Sequence, residues 1–447
     1  MKIYESALLR ERYFRTTHKS GLTVCVFPKK MTVAHAVLAV RFGSLDTAFR
    51  VDGETEDTLI PDGTAHYLEH KLFDGPDGID AFARFSAIGA DANAYTDYIR
   101  TAYLFNTSEH FEEALTELLR FVTTPYFTAA TVRKERGIIT EEIRSYRDSP
   151  YDRCLQNLLL GLYREHPVRR DVCGSVRSIR SITPDLLYRC YRAFYRPSNM
   201  ILCVCGDVAP EDVLRVVDLV FPERPESPAV IRRTVREPEE PARQTVRARR
   251  NIAKPFFYLA TKDPCIPADP DEKMRRDAAM SVLSEVLFSQ SSPFFGKLFE
   301  EGLLTANYSQ GYSIVDSFAF HSICGESDAP GTVRKRFLAY LEKVRRDGIR
   351  EEDLVLARRS LIADQIRAYD STEEICSNLL SFTLDGADLF TYPELLAQVT
   401  REDCERLLHT VFRPDRVCLS VVSPKAAGKK ESGTPKPPKK GTEPENV

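Results

Sequence analysis

Two histidines and a glutamate lie close together in the stretch Thr-Ala-His-Tyr-Leu-Glu-His-Lys-Leu-Phe, which begins at residue 64. Side chains four residues apart project from one face of a helix, so His66 and His70 are predicted to share a face, with Glu69 beside them. Imidazole nitrogens bind Zn²⁺ readily, and a carboxylate beside an open coordination position can take a proton from water. The stretch therefore offers two metal ligands and a candidate base, whereas a catalytic zinc needs a third protein ligand.

Candidates for the third ligand lie on a helix predicted over residues 129–146. Glu135 and Glu142 fall on the same stripe as its apolar residues, which are Val132, Ile138, Ile139, Ile143 and Tyr146. A buried carboxylate is costly unless it is paired or bound to a metal. Two interpretations are open at this point: the carboxylates bind a metal with the histidines, or they form ion pairs with arginines such as Arg136 and Arg144.

Bulk composition describes an ordinary globular chain. Its 447 residues predict two or three domains, and hydrophobic and charged fractions of 43% and 28% with a net charge of −3 give no attraction to nucleic acid or anionic membranes. The first residues lack the apolar segment of a signal peptide, and no run approaches the length of a membrane span, so we expect a cytoplasmic protein. The 11 cysteines, without Cys-x-x-Cys pairs, are expected to be reduced.

Strand and helix patterns alternate around the histidine helix. Residues 19–44 predict an antiparallel pair of strands, and Thr64 is a plausible N-cap for the helix that follows. Residues 91–105 predict a further strand, residues 109–123 an amphipathic helix, and residues 200–206 a buried strand. We therefore predict an α+β fold with a mainly antiparallel sheet and helices packed on it.

An internal repeat divides the chain. A helix followed by Phe-Tyr-Arg-Pro and a strand ends the first half near Pro197, and a helix followed by Val-Phe-Arg-Pro and a strand recurs near Pro414. Two homologous domains are the simplest explanation. The predicted boundaries are an N-terminal domain over 1–221, a linker rich in Pro, Glu and Arg over 222–250, a C-terminal domain over 251–423, and a disordered tail over 424–447.

The second copy lacks the candidate ligands. Gln365 matches Glu142 and Arg358 matches Glu135, and the only histidines of the second half are His321 and His409. Unrelated core or surface residues would have no reason to be lost together while the surrounding frame persists. The loss therefore favours the metal interpretation and predicts a non-catalytic second domain.

Together these residues resemble the insulinase/pitrilysin family of zinc metallopeptidases, in particular the short two-domain bacterial type related to the beta subunit of the mitochondrial processing peptidase. The resemblance covers about residues 15–423 and is strongest in the inverted motif His-x-x-Glu-His and the stretches 92–96 and 135–142. It implies one Zn²⁺ per chain held by His66, His70 and Glu142. It also implies Glu69 as general base and Glu135 as a supporting carboxylate.

The resemblance also implies a substrate site and a partner. Asn93, Ala94 and Tyr95 match the edge strand on which the family pairs an extended peptide. The family's second domain usually carries an Arg and, seven residues later, a Tyr that face the zinc site; Tyr308 matches the Tyr, but Glu301 stands where the Arg is expected. This departure favours a heterodimer with a homologous zinc-less subunit over a homodimer.

From these residues we predict a zinc-dependent endopeptidase that hydrolyses peptides or small unfolded polypeptides inside a closed two-subunit chamber. Zn²⁺ would polarise the scissile carbonyl and its water, and Glu69 would carry the proton from the water to the leaving amine. The alternative is a non-catalytic scaffold subunit of the same fold. A general scavenging peptidase and a maturase dedicated to one peptide are both open as roles.

Overall fold

The computed structural model describes residues 1–221, 223 and 228–425. Among these residues, the first half contains a seven-stranded sheet with helices packed on it and two strands of a separate three-stranded sheet. The strands are β1 (Lys2–Ser6), β2 (Glu11–Thr17), β3 (Thr23–Pro28), β4 (Ala34–Val40), β5 (Ala48–Val51), β6 (Thr58–Leu59), β7 (Asp91–Thr96), β8 (Thr101–Thr107) and β9 (Met200–Gly206). The helices are α1 (Thr64–Leu72), α2 (Ala81–Ile88), α3 (Phe111–Thr123), α4 (Ala129–Asp148), α5 (Pro150–Leu162), α6 (Pro184–Phe194) and α7 (Pro210–Val220).

The second half follows after two connecting strands. The remaining strands are β10 (Val230–Arg232), β11 (Thr245–Arg250), β12 (Phe256–Asp263), β13 (Tyr308–Val315), β14 (Phe318–Glu326) and β15 (Val417–Pro424). The remaining helices are α8 (Pro270–Phe288), α9 (Pro293–Glu300), α10 (Pro330–Asp347), α11 (Glu351–Ala368), α12 (Thr372–Leu384), α13 (Tyr392–Gln398) and α14 (Arg401–Thr410).

The two main sheets share one topology. The first has the order β1-β2-β3-β9-β4-β8-β7 and the second the order β11-β15-β12-β14-β13. In each, the last strand of the half runs parallel to one neighbour and antiparallel to the other: β9 between β3 and β4, and β15 between β11 and β12. The structure thus confirms the prediction of an α+β fold with two homologous, mainly antiparallel halves.

The predicted pairing of strands within residues 19–44 is wrong. β3 and β4 are both strands, but β9 lies between them, with Cys203 opposite Cys25 on one side and opposite Val37 on the other. All seven residues of β9 are buried, which explains its central place in the sheet. Nearness in sequence therefore gave the wrong partner for β3.

The segment predicted as a linker, residues 222–250, contributes a strand to each half. β10 pairs with β5 of the first half, and β11 pairs in parallel with β15 of the second. Between them, Glu237 accepts backbone hydrogen bonds from Arg164, Glu165 and His166 and a 2.7 Å ion pair from Lys262. The tail predicted to be disordered over 424–447 lies outside the described residues from residue 426 onwards.

The halves exchange helices. α5 of the first half packs on the second sheet so closely that a Cβ on Gly161 would lie 2.5 Å from the Cys418 sulfur. In return, α12 packs on the first sheet, where Cys376 and Leu379 join Cys203 in one buried cluster. Because each half covers a sheet face of the other, the halves form one interlocked body. Among the described residues, no helix has the length and apolar character that crossing a membrane requires.

Candidate functional site

The histidine helix is fixed at its first turn. α1 begins at Thr64 after Gly63, whose φ of 89° is left-handed, so Thr64 is the first helical residue and not the predicted N-cap. A Cβ on Gly63 would lie 2.5 Å from the Cys173 carbonyl oxygen, and an ion pair of 2.7 Å joins Arg170 to Asp62. The backbone around residue 173 therefore presses directly against the start of α1.

His66, His70 and Glu142 meet between α1 and α4. His66 Nε2 lies 3.5 Å from Glu142 Oε1, and His70 Nε2 lies 3.4 Å from Glu142 Oε2. One donor atom from each residue lies within 4.8 Å of the others, and the two imidazole rings are 4.6 Å apart. Two nitrogens and a carboxylate thus converge on one point, a donor set suited to zinc.

Glu135 lies behind His70. Its Oε1 is 3.0 Å from His70 Nδ1, the ring nitrogen that points away from Glu142. The alternative ion pairs do not form within the described residues, since Arg136 donates to the Ile182 carbonyl and Arg144 pairs with Glu141. The two carboxylates of the α4 stripe therefore contact the histidines.

The stripe of α4 is only partly core. Val132, Ile139 and Ile143 are buried, whereas Ile138 and Tyr146 are 50% and 44% exposed and line the cavity above the histidines. The apolar pattern predicted correctly which face turns inward. It could not distinguish a core position from a cavity wall.

Protonation in the metal-free cluster follows these contacts. Burial acts to lower the pKa of His70, but hydrogen bonds to Glu135 and Glu142 outweigh burial and raise the pKa to about 10. Hydrogen bonds from His66 and His70 hold the pKa of Glu142 well below its usual range. The carboxylates thus favour positive charge at this point of the structure, and zinc binding would be coupled to the release of protons from the cluster.

Glu69 lies beside this cluster with a partner of its own. Burial raises the pKa of Glu69, while His66 and a hydrogen bond from Thr96 oppose that rise. The Thr96 hydroxyl donates to Glu69 Oε2 over 2.5 Å. Glu69 is therefore a buried carboxylate that binds a proton more readily than an exposed glutamate does.

The cluster lies in a cavity of about 620 Å³. Among the described residues, those that line the cavity all belong to the first half, between His66 and Cys173. Asn93, Ala94 and Tyr95 are among them, on β7, the last strand in the order of the first sheet. One edge of β7 thus has no strand partner in the part of the chain that the structure describes, and it is available to a further strand beside the cluster.

Tyr308 is not brought to this cavity. It is 5% exposed, its hydroxyl donates to the Phe288 carbonyl over 2.9 Å, and its ring packs on Phe295 in the core of the second half. Glu301, which stands where the resemblance leads us to expect an arginine, forms an ion pair with Arg336. Neither side chain contributes to the site within this chain.

Sequence reasoning missed two residues of the site. Thr96 follows the named β7 residues directly, and strand alternation places it on the face of Ala94, so its contact with α1 had a readable signal. The Cys173 sulfur lies 3.9 Å from His66 Nε2. It comes from a distant loop, and no pattern in the sequence indicates it.

The residues present fit a zinc ion. Glu142 Oε2 is buried, and its contact among the described residues is His70 Nε2 at 3.4 Å, so one shared cation would be a partner for both atoms. Glu135 holds the outer nitrogen of His70, as carboxylates commonly do behind a metal-binding histidine.

The chain matches two family models. One, described as insulinase (peptidase family M16), covers residues 52–175, and the other, described as the peptidase M16 inactive domain, covers residues 181–361. The cluster lies within the first match. The second match falls mainly on the half that lacks the ligands.

Similar proteins cover nearly the whole chain. A Bacillus subtilis (strain 168) protein named uncharacterized zinc protease YmfH is 35% identical over 95% of this chain and 100% of its own length. A crystal structure described as that of an M16-like peptidase from Alicyclobacillus acidocaldarius has 32% identity and a TM-score of 0.88, covering 92% of this chain and 98% of that one. A Helicobacter pylori protease, 19% identical over 93% of this chain and 100% of its own, has a TM-score of 0.80 and supports the fold alone.

Proposed function

Because the chain belongs to the insulinase family of peptidases, peptidase family M16, we propose that it is a zinc-dependent endopeptidase that uses one zinc ion per chain. The observation that carries the proposal is the convergence of donor atoms from His66, His70 and Glu142 within 4.8 Å, with Glu69 beside them in an open cavity. A scaffold that had lost catalysis would not need to keep all four residues in place.

The metal would be held by His66, His70 and Glu142, with Glu135 fixing the orientation of His70. When bound, zinc supplies Lewis-acid chemistry, because it acidifies water and polarises a peptide carbonyl. The four side chains are prepared for this role because α1 and α4, two helices, carry them.

Glu69 is the general base of the proposed reaction. Its carboxylate takes a proton from the attacking water and passes it to the amine that leaves when the peptide bond breaks. Glu69 is buried beside His66 and lines the same cavity, so its carboxylate lies where water and peptide would meet.

The substrate lies along β7. The unpaired edge at Asn93, Ala94 and Tyr95 offers main-chain hydrogen bonds to an extended peptide, so recognition depends on the peptide being extended more than on one side chain. Folded proteins present few such segments. Peptides and small unfolded polypeptides are therefore the proposed substrate class.

A second chain completes the site. Within residues 1–221, 223 and 228–425, the residues that line the cavity come from the first half, and Tyr308 and Glu301 face other parts of the chain. The wall opposite the zinc site is therefore proposed to belong to another subunit, either a homologous zinc-less chain in a heterodimer or a second copy. A closed chamber of two subunits would admit unfolded chains only. A cytoplasmic location stays a prediction.

The test combines metal analysis with hydrolysis of an internally quenched peptide. The purified chain, alone and with the partner that co-purifies from native extract, is expected to bind one zinc per chain and to lose hydrolysis in a chelator. Glu69→Gln is expected to retain zinc and lose turnover, whereas His66→Ala loses both.

Other results would change the proposal. Hydrolysis retained by Glu69→Gln would remove Glu69 from its role. Stoichiometric zinc without hydrolysis of any peptide, alone or with the partner, would favour the scaffold subunit. The observation that supports this alternative is that Tyr308 lies away from the site and that position 301 is a glutamate and not an arginine. Full hydrolysis by the chain alone would contradict the heterodimer.

A further inference from the structure

The proposed base has one hydrogen-bond donor in the described part of the chain. Glu69 is 7% exposed, and the Thr96 hydroxyl donates to its Oε2 over 2.5 Å. A hydrogen bond from a hydroxyl to a carboxylate is charge-assisted and is stronger than one between neutral groups. The rotamer of Glu69 is thus tied to a residue on a different element, the last residue of β7.

We propose that Thr96 is a positioning residue for Glu69 and that it links the substrate-binding edge of β7 to the base. The inference deepens the proposed function and rests on it. Thr96 does not need to contact the reacting atoms: its task is to hold one carboxylate oxygen so that the other is directed to the water.

The surroundings of Thr96 restrict its own movement. Its backbone pairs with Thr101 of β8, and the Thr101 hydroxyl donates to the Phe42 carbonyl over 2.9 Å. Thr96 Oγ1 also lies 3.4 Å from Thr101 Oγ1. A β-branched side chain in a strand has few rotamers to choose from. The hydroxyl that donates to Glu69 is therefore held in place by the packing of the sheet.

The position of Thr96 on β7 connects the binding of substrate to the position of Glu69. Ala94 and Thr96 share the face of β7 that turns towards α1, while the backbone edge of the same strand has no partner among the described residues. A peptide added to that edge would extend the sheet and restrain the strand that carries Thr96. Substrate binding would thereby steady the base before the proton transfer.

The test compares Thr96→Val, which keeps the shape and removes the hydroxyl, with Thr96→Ser, which keeps the hydroxyl. With wild-type zinc content, Thr96→Val is expected to lower kcat about 10- to 100-fold with little change in KM, because a small misplacement of a reacting group can cost about 100-fold. Thr96→Ser is expected to stay within about threefold of wild type. Thr116→Val is the matched control, since the Thr116 hydroxyl bonds only to the Glu112 carbonyl of its own helix.

Peptide binding and crystal structures give readouts that do not depend on turnover. In a Glu69→Gln background, adding Thr96→Val should leave the Kd of the uncleaved peptide unchanged; a weaker Kd would make Thr96 a substrate contact and overturn the positioning role. A crystal structure of the zinc-loaded wild type should show the Glu69 carboxylate in one orientation. The corresponding structure of Thr96→Val should show it in several. Thr96→Ala replaces Thr96→Val if the valine variant does not fold.

The outcomes separate this inference from the proposed function. If the wild type hydrolyses peptide and Thr96→Val does so equally well, the positioning role is wrong while the peptidase stands. If the wild type hydrolyses nothing, alone or with the partner, the peptidase proposal fails, and the crystal structures alone decide whether Thr96 holds Glu69. An unmoved Glu69 in Thr96→Val would overturn the inference in either case.

Discussion

Glu141 and Glu142 are neighbours in the sequence with different surroundings in the fold. Glu142 lies between His66 and His70, whereas the Glu141 side chain is 71% exposed and pairs with Arg144. The difference arises because consecutive residues of a helix point about 100° apart. Neutralising the two carboxylates in turn therefore tests the ligand assignment with minimal change to the helix.

We predict that Glu142→Gln weakens zinc binding by more than the roughly 10- to 100-fold that is usual when a residue supporting a ligand is removed. Glu141→Gln should stay within about twofold of wild type, because it changes only an exposed ion pair. Competition with a chromogenic chelator measures both affinities. Equal loss in the two variants would contradict the assignment of Glu142.

Glu135 has the supporting role at the same scale. Its carboxylate accepts from His70 Nδ1 over 3.0 Å and so leaves Nε2 free to face Glu142. We predict that Glu135→Ala weakens zinc binding roughly 10- to 100-fold and that Glu135→Gln, which can still accept the hydrogen bond, falls between Ala and wild type. The same chelator assay measures these affinities. Zinc binding of wild-type strength in Glu135→Ala would show that His70 needs no such support.

At the scale of elements, the start of α1 depends on two glycines in close contact. Gly174 has a φ of 74°, and a Cβ there would lie 2.3 Å from the Asp62 carbonyl oxygen, directly before Gly63. Gly78 has the same φ of 74° with open space around it. Comparing Gly174 with Gly78 separates the cost of a side chain on a left-handed backbone from the cost of its steric overlap with the backbone before α1.

We predict that Gly78→Ala destabilises the fold by about 1 kcal/mol, the usual cost of a left-handed residue with a side chain. Gly174→Ala should cost about 1–3 kcal/mol more, because the added methyl group must displace backbone. Gly174→Ala should also weaken zinc binding, since the displaced backbone carries α1. Thermal unfolding and zinc titration measure these effects; equal losses of stability in the two variants would contradict the close packing of these loops.

At the scale of the whole molecule, His166 joins the two halves. It is 4% exposed, and its Nε2 lies 3.0 Å from the Ser317 hydroxyl of the second half. Burial lowers the pKa of His166 from its ordinary value of 6.5 to about 4. Glu237 and Asp316 act to raise this pKa, and Lys262 acts to lower it further. His166 is not one of the residues that meet at the candidate metal cluster.

The direction of the pH dependence follows from this lowered pKa. Between pH 6.5 and about 4, the unfolded chain binds a proton at His166 that the folded chain does not. The contribution of His166 to the free energy of unfolding is therefore fully present above pH 6.5 and is lost as the pH falls towards 4. The loss is on the order of 3 kcal/mol. We predict that His166→Asn flattens this part of the curve of unfolding free energy against pH.

Denaturant unfolding between pH 4 and 7 measures that change. His110→Asn is the control, because His110 is an exposed residue before α3 and its replacement should leave the curve like that of wild type. An unchanged slope in His166→Asn would mean that other groups cause the acid sensitivity of the folded chain.

The sequence by itself determined the chemistry and the general architecture. Helical periodicity placed His66, His70 and Glu142 on faces that turn inward, and the internal repeat predicted two halves of one topology, because both signals are local or are copied along the chain. The loss of the ligands from the second half identified which half carries the site.

Only the tertiary structure decided how distant segments meet. β9 enters between β3 and β4, α5 and α12 change places between the halves, and Cys173 reaches His66 from a loop far along the chain. Tyr308 turns into its own core, away from the site that its sequence position had suggested. A side-chain pattern tells which face of an element is buried but not what covers that face, because the partner is chosen by packing over the whole molecule.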